Sequence, residues 1–74
     1  MSAFARDAIL DTLEEGCTGK TRALAQAYRY LRQAHHYTSR EVLDATWRLM
    51  EREGAIVREG REYRVRVEVQ NDDK

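Results

Sequence analysis

The sequence predicts an α+β domain in which three helices are followed by a C-terminal β-hairpin. Two segments in the first half of the chain carry apolar residues at helical spacing, and a third such segment follows residue 38. After Gly54 the chain changes to short runs that are rich in β-branched residues and interrupted by a glycine turn. These three observations predict the fold class, and each element is justified below.

The first helix is predicted from Ser2, which can act as its cap, through Glu15, with Gly16 at its C-terminal boundary. Small and apolar residues recur at helical spacing along it and define an inward face: Ala5, Ala8, Ile9, Thr12 and Leu13. We expect a structural role for this helix.

The second helix is predicted to start after Thr18, which would be its N-cap. Its core-facing residues are predicted to be Leu24, Ala27, Tyr28 and Leu31, and its exposed residues Arg22, Arg29, Arg32 and Gln33. The interval from Thr21 to Thr38 is long enough for about four helical turns and a loop. Residues 35–37, His-His-Tyr, form the predicted connection to the third helix.

The third helix is predicted to begin at about Ser39, because Thr38 followed by Glu41 matches a capping box. One apolar stripe contains Leu43, Thr46, Trp47 and Met50, whereas Arg40, Asp44, Arg48 and Glu51 point away from it. Gly54 is predicted to end this helix, since glycine adopts positive φ at little steric cost.

A hairpin is predicted after Gly54, with residues 56–58 as one strand, Glu59-Gly60-Arg61 as the turn and residues 63–67 as the second strand. Strict alternation in the second strand places Tyr63, Val65 and Val67 on one face and Arg64, Arg66 and Glu68 on the other. The predicted domain therefore ends in a two-stranded element with one apolar face.

Residues 50–58, Met-Glu-Arg-Glu-Gly-Ala-Ile-Val-Arg, resemble the winged helix-turn-helix family of DNA-binding domains. In that family the recognition helix commonly ends in a Leu-Glu-x-Glu-Gly-type stop before a wing hairpin. The resemblance implies one three-helix winged helix-turn-helix domain over residues 1–69, with a polar tail at residues 70–74. The long interval before the third helix departs from the simplest members, so either the second helix is extended or extra structure lies in the turn.

Length and composition indicate one soluble domain. Seventy-four residues allow a single small core, and a hydrophobic fraction of 42% with a charged fraction of 35% is typical of a folded chain rather than a disordered one. No apolar run approaches the ~20 residues of a membrane span. Asp7 and Asp11 interrupt the early apolar stretch, which argues against a signal peptide. A cytoplasmic location is expected, and the lone Cys17 agrees because a disulfide needs two cysteines.

The net charge of zero argues weakly against nucleic acid as a partner, but its distribution is uneven. The first seventeen residues carry four acids against one arginine, whereas residues 16–40 contain five basic residues and no acid. Opposite faces of the domain are therefore predicted to be acidic and basic.

Two apparent motifs have simpler interpretations. Residues 16–21, Gly-Cys-Thr-Gly-Lys-Thr, invite comparison with a phosphate-binding P-loop, but the glycine that the pattern requires is replaced by Glu14 and no strand precedes the loop. The segment is either an inter-helix turn or a clamp for a DNA phosphate. His35 and His36 lack neighbouring ligands that would complete a metal site, so no metal and no cofactor is expected.

The leading functional hypothesis is a small winged-helix protein that binds double-stranded DNA, such as a transcriptional regulator or recombination accessory factor of phage or plasmid type. The predicted DNA-binding residues are Lys20, Thr21, Arg22, Ser39, Arg40, Asp44, Arg48, Arg58 and Arg61. Arginine can contact guanine, and an acid such as Asp44 can accept from cytosine or orient an arginine. The hairpin arginines are equally explained as members of a solvated hairpin. Specific binding by so small a domain predicts a homodimer or array.

The alternative hypothesis is a winged-helix protein-interaction module, an inhibitor or adaptor of a host complex without DNA binding. The zero net charge and the mixed charges of the recognition face favour it, and Tyr28, Tyr30 and Tyr37 are its predicted anchors. Neither paired carboxylates nor a nucleophile with a base stand out, so an enzyme is not expected. No small-molecule ligand is evident.

Overall fold

A computed structural model of the protein describes residues 3–66, which form three helices followed by a two-stranded antiparallel sheet. The elements are α1 (Ala3–Glu14), α2 (Lys20–Gln33), α3 (Arg40–Glu53), β1 (Ile56–Glu59) and β2 (Glu62–Val65). The predicted α+β class and element order are confirmed. The predicted cap at Ser2, the extension of the second strand to Val67 and the tail at residues 70–74 lie outside the described residues.

The buried core lies where the three helices and the hairpin meet. Its apolar members are Ala5, Ala8, Ile9, Leu13, Ala23, Ala27, Leu31, Leu43, Trp47, Met50 and Ile56. Thr12 and Thr46 are also buried, and each satisfies its hydroxyl by donating to the carbonyl four residues earlier on its own helix. The predicted inward faces of the first and third helices are therefore confirmed.

The predicted core face of the second helix is partly wrong. Ala27 and Leu31 are buried as expected, but Ala23 is fully buried whereas Leu24 and Tyr28 are only half-buried. The short side chains of Ala23 and Ala27 allow α2 to pack closely against the core. Because these alanines face inward, the larger Leu24 and Tyr28 lie at the edge of the core. The consequence is a partly open apolar surface beside α3.

All three helices end in the same hydrogen-bonded motif, with a residue in the left-handed region just past the helix. These residues are Gly16 (φ +102°), His35 (φ +60°) and Gly54 (φ +81°). In each case the next residue's N–H donates to the carbonyl five positions earlier, as in Cys17 to Thr12, His36 to Leu31 and Ala55 to Met50. The predicted glycine boundaries are confirmed, and His35 takes the same conformation without the steric freedom of glycine.

The predicted capping box at the start of α3 is wrong by one residue. Ser39 is the N-cap, and its Oγ accepts a hydrogen bond from the N–H of Val42 at 3.1 Å. The residue three positions after this cap is Val42, which has no side-chain acceptor to reach back, so the reciprocal half of a capping box is missing. Thr38 and Ser39 are both good N-cap residues, and Ser39 takes the cap position although only Thr38 has a glutamate three residues later.

The hairpin is tighter than predicted because its turn contains two residues, Gly60 and Arg61, rather than three. Glu59 pairs with Glu62 as the last step of the register, and Gly60 has φ +67°, the conformation that favours glycine at the first position of a two-residue hairpin turn. Tyr63 and Val65 are half-buried against the core, as predicted. The Tyr63 ring meets Trp47 edge-on, with 4.9 Å between centroids and 78° between planes.

The long interval between the second and third helices is occupied mainly by α2 itself, which has 14 residues. The connection that follows, residues 34–39, contains a turn and no further helix or strand. Of the two predicted possibilities, the extended helix is the correct one. Across residues 3–66, each helix is too short or too polar to cross a membrane.

Candidate functional site

A groove between α2 and α3 brings four of the predicted site residues together. Its volume is about 450 Å³, and its lining is Lys20, Thr21, Leu24, Ala25, Tyr28, Arg40, Leu43 and Asp44. The members that were predicted from the sequence to bind DNA are Lys20, Thr21, Arg40 and Asp44. We refer to this feature as the α2–α3 groove.

The α2 side of the groove begins at Lys20, the first residue of the helix. The predicted N-cap, Thr18, is wrong: Gly19 occupies the cap position in extended geometry and no side chain accepts from the first amides. The Thr18 carbonyl instead accepts the Tyr63 N–H at 2.9 Å, which ties β2 to the turn ahead of α2. The first amides of α2 are therefore without a side-chain cap, at the helix end that carries partial positive charge.

An ion pair across the groove joins the two helices. Lys20 Nζ lies 3.5 Å from Asp44 Oδ1, and Arg48, one turn further along α3, donates a hydrogen bond to Asp44 Oδ2. The hydrogen bond from Arg48 is the main cause that lowers the pKa of Asp44 below its ordinary value, with the charges of Arg48 and Lys20 adding to it and desolvation opposing it. Asp44 is therefore ionised near neutral pH and is shared by two cations.

Arg40 lies at the first residue of α3 and stacks on an aromatic ring. Its guanidinium carbon is 5.0 Å from the centroid of Tyr28, while Arg32 approaches the same ring at 6.0 Å. Within residues 3–66 Arg40 makes no ion pair and no side-chain hydrogen bond. Its donors therefore remain free to meet an anion, in an orientation that Tyr28 restrains.

Three predicted site residues do not line the groove. Arg22 and Arg48 are exposed on α2 and α3. Ser39 is also exposed, but its hydroxyl accepts from the α3 backbone as the N-cap, so its primary contact supports the helix.

The hairpin carries the last two predicted residues on a separate element. Arg58 Nε donates to the carbonyl of Gly60 at 2.8 Å, so its side chain folds back over the turn. Arg61 is exposed in the turn itself. Arg64 is paired with Glu59, with 2.6 Å between Nε and Oε2. Of these three arginines, Arg61 alone makes no ion pair or side-chain hydrogen bond within the described part of the chain.

The histidine pair lies away from the groove and has ordinary contacts. The His36 ring stacks on Phe4 with 3.8 Å between centroids and 12° between planes, and His35 Nδ1 lies 3.2 Å from the Tyr37 hydroxyl. Over residues 3–66 no cluster of three or more His, Cys, Asp or Glu side chains is arranged to hold a metal ion. Cys17 is half-buried.

Sequence reasoning did not identify several residues that build the groove. Leu24 was assigned to the core, Tyr28 was assigned to the core and, in the alternative hypothesis, to a protein interface, and Ala25 carried no signal. The pairing of Lys20 with Asp44 and of Arg40 with Tyr28 joins residues on different helices, so it depends on how α2 packs against α3. A basic residue at the first position of α2 and of α3 is the one local signal that points to these contacts.

Comparisons of this chain with models of known protein families, with curated protein sequences and with solved structures found no match. The function of the site is therefore inferred from its geometry and chemistry.

Proposed function

We propose that the protein is a small winged-helix DNA-binding protein, with α3 as the recognition helix and the β1–β2 hairpin as the wing. The observation that carries the proposal is the meeting of two helix N-termini at one groove, each with a basic residue in its first position, Lys20 on α2 and Arg40 on α3. Helix N-termini favour anions through free amides and the helix dipole, and lysine and arginine add full charges. A DNA phosphate at the α2 N-terminus beside Lys20, with Arg40 directed to a neighbouring base, fits this arrangement.

Base recognition is assigned to Arg40 and Arg48 on the exposed side of α3. Arginine recognises guanine through two parallel hydrogen bonds in the major groove, which requires a guanidinium held in a defined orientation. Asp44 supplies that restraint for Arg48, and Tyr28 supplies it for Arg40. In this arrangement Asp44 orients an arginine, and its negative charge is balanced by Arg48 and Lys20 before DNA arrives.

Backbone contacts are assigned to the residues around the base-reading face. Thr21 and Arg22 lie in the first turn of α2, where exposed side chains and amides suit phosphate. Arg61 at the hairpin turn is free to reach a neighbouring phosphate, and Arg58 shapes the turn by its bond to the Gly60 carbonyl. Ser39 contributes by fixing the first turn of α3 rather than by reading a base.

A domain of this size contacts few base pairs, so we propose that it acts as a dimer or cooperative array on a repeated site. The biological role that suits such a small factor is a regulator of transcription or an accessory factor in recombination, of phage or plasmid type.

The test is a fluorescence anisotropy assay on duplex sites selected from a random pool. Arg40→Ala and Arg48→Ala should each weaken binding of the selected site by ~1 to 3 kcal/mol and relax base preference. Arg61→Ala should reduce the salt dependence of binding by the contribution of about one phosphate contact, with no change in base preference. Arg52→Ala, an exposed change in the last turn of α3, is the matched control and should bind as wild type.

The proposal is wrong if Arg40→Ala, Arg48→Ala and Arg61→Ala all keep wild-type affinity and base preference. Circular dichroism of each variant is needed beside the binding data. All three side chains are exposed, so the helical signal should not change.

A second candidate function is a protein-interaction module, which the exposed aromatic residues near the end of α2 favour. Tyr37 is 71% exposed and Phe4 is 53% exposed, and exposed aromatic residues are frequent in interface hot spots. Tyr30 suits this role less, because its hydroxyl donates to Glu15. If the wild-type chain binds no duplex DNA at low salt, Tyr37→Ala becomes the first variant to test against candidate protein partners.

A further inference from the structure

The α2–α3 groove has the dimensions and lining of a small-molecule site. Its volume of about 450 Å³ is within the ~300 to 1,000 Å³ common for ligand pockets. Leu24 and Ala25 supply apolar surface above the buried Leu43, and Lys20, Thr21, Arg40 and Asp44 supply polar groups. Apolar lining of this kind favours a ligand with an apolar body.

The charges around the groove favour an anion. Lys20, Arg40, Arg48 and Asp44 together carry +2, and Asp44 is already shared between Lys20 and Arg48. A cationic ligand would meet a carboxylate that is already neutralised, together with two like charges. A carboxylate, in contrast, can take the free donors of Arg40 without breaking any ion pair formed among residues 3–66.

We propose that this groove binds a small amphipathic carboxylate. The carboxylate lies against Arg40, with Lys20 as the second cation, and the apolar body covers Leu24 and Ala25. Binding of this ligand does not depend on DNA. Because Lys20 and Arg40 are also assigned to DNA, an occupied groove should compete with DNA, and this regulatory consequence alone rests on the proposed function.

The direct test is an NMR titration of the isotope-labelled 74-residue chain with 4-phenylbutyrate, with 4-phenylbutan-1-ol as the uncharged analogue of the same shape. The carboxylate should shift the amide signals of residues 20–28 and 40–44 in a saturable manner. The alcohol should bind at least about tenfold more weakly, since a hydrogen-bonded charge pair is lost. Equal binding of acid and alcohol, or no saturable shift in these segments, overturns the proposal.

Two variants separate the charge from the apolar surface. Arg40→Gln should weaken the acid at least about tenfold and leave the alcohol unaffected, whereas Arg52→Gln, outside the groove, should change neither. Ala25→Leu places a larger side chain in the groove, keeps both cations and is compatible with a helix. It should abolish binding of the acid without lowering the melting temperature, and unchanged binding by this variant contradicts the assigned position.

A competition experiment tests the regulatory consequence. Saturating 4-phenylbutyrate should raise the Kd for duplex DNA in the wild type and have no effect in Ala25→Leu. If the chain binds no DNA at all, the NMR titration still decides whether the groove takes the carboxylate. If DNA binds equally with and without the acid, the shared use of Lys20 and Arg40 is refuted.

Discussion

Trp47→Ala is the substitution that tests the core most severely. Trp47 is the largest fully buried side chain and is 0% exposed. It lies on α3 and contacts the hairpin through the ring of Tyr63. Truncation removes the side chain that joins the third helix to the sheet and leaves a cavity between them.

The expected loss follows from two opposing contributions. Replacing a buried tryptophan by alanine typically costs ~3 to 5 kcal/mol, through lost burial and the remaining cavity. The indole Nε1 is buried without a hydrogen-bond partner among the described residues, and removing an unsatisfied donor returns part of that cost. We therefore expect a loss of about 3 kcal/mol, against a total stability of roughly 4 to 11 kcal/mol for a chain of this length.

The assay is urea denaturation followed by circular dichroism, because Trp47 is the only tryptophan and its fluorescence is lost with the substitution. Trp47→Phe, which keeps an aromatic ring and removes the unsatisfied N–H, should lose less stability than Trp47→Ala. Arg48→Ala, an exposed neighbour on α3, is the control and should change stability by no more than ~0.5 kcal/mol. A loss below ~1 kcal/mol for Trp47→Ala would refute the assigned core position.

Three further predictions concern local contacts. Ser39→Ala should lower the free energy of unfolding by ~0.5 to 2 kcal/mol in chemical denaturation, whereas Thr38→Ala should not. The opposite ranking would mean that Thr38 is the N-cap. His35→Gly should raise the free energy of unfolding by ~0.5 to 1 kcal/mol because glycine tolerates the left-handed conformation, and a lower melting temperature would contradict this. The pKa of Asp44 should lie below its ordinary value in a carbon-detected NMR titration, and Arg48→Gln should raise it. Since the pKa of Asp44 is lower in the folded state, its ionised form stabilises the fold at pH values above the unfolded pKa near ~4. This stabilisation is lost as pH falls through the folded pKa. An unchanged pKa in Arg48→Gln would refute the assigned cause.

The sequence contained enough information for the third helix and the hairpin. The positions of Leu43, Trp47 and Met50 repeat with helical period, and one helix face is buried along its length, so the apolar pattern determines its orientation. Gly54 and Gly60 mark the two places where the backbone needs positive φ. Local chemistry decides these features: the core face of α3 and its end at Gly54 were predicted correctly, whereas the hairpin turn was predicted one residue too long.

Helix caps and the orientation of α2 required information that the local sequence does not contain. Thr18 and Thr38 were chosen as caps because threonine is a good cap, but the backbone uses the next residue in each case. On α2 the large Leu24 and Tyr28 suggested a core face, yet small Ala23 is the buried residue. Burial on α2 depends on close packing between elements, whereas a hydrophobic pattern assigns the larger residue to the core.

The candidate site was predicted as a set of residues but not as a groove. Lys20 was predicted as a phosphate contact and Arg40 as a base contact, and both line the groove. The cross-helix pair of Lys20 with Asp44 and the stacking of Arg40 on Tyr28 depend on the packing of α2 against α3. Such contacts join residues far apart in sequence, and the basic residues that begin α2 and α3 are the one local signal for them.

The measurement that tests the proposed function most directly is the salt dependence of duplex DNA binding by the wild-type chain. Arg22 and Arg61 are exposed and make no ion pair within residues 3–66, and Lys20 is also assigned to phosphate, so three phosphates should be neutralised. The plot of log Kobs against log salt concentration should then have a slope of about −2.7, which is a loss of roughly 40-fold between ~50 and ~200 mM salt. A slope near zero, or no binding at the lowest salt, would contradict DNA recognition by this protein.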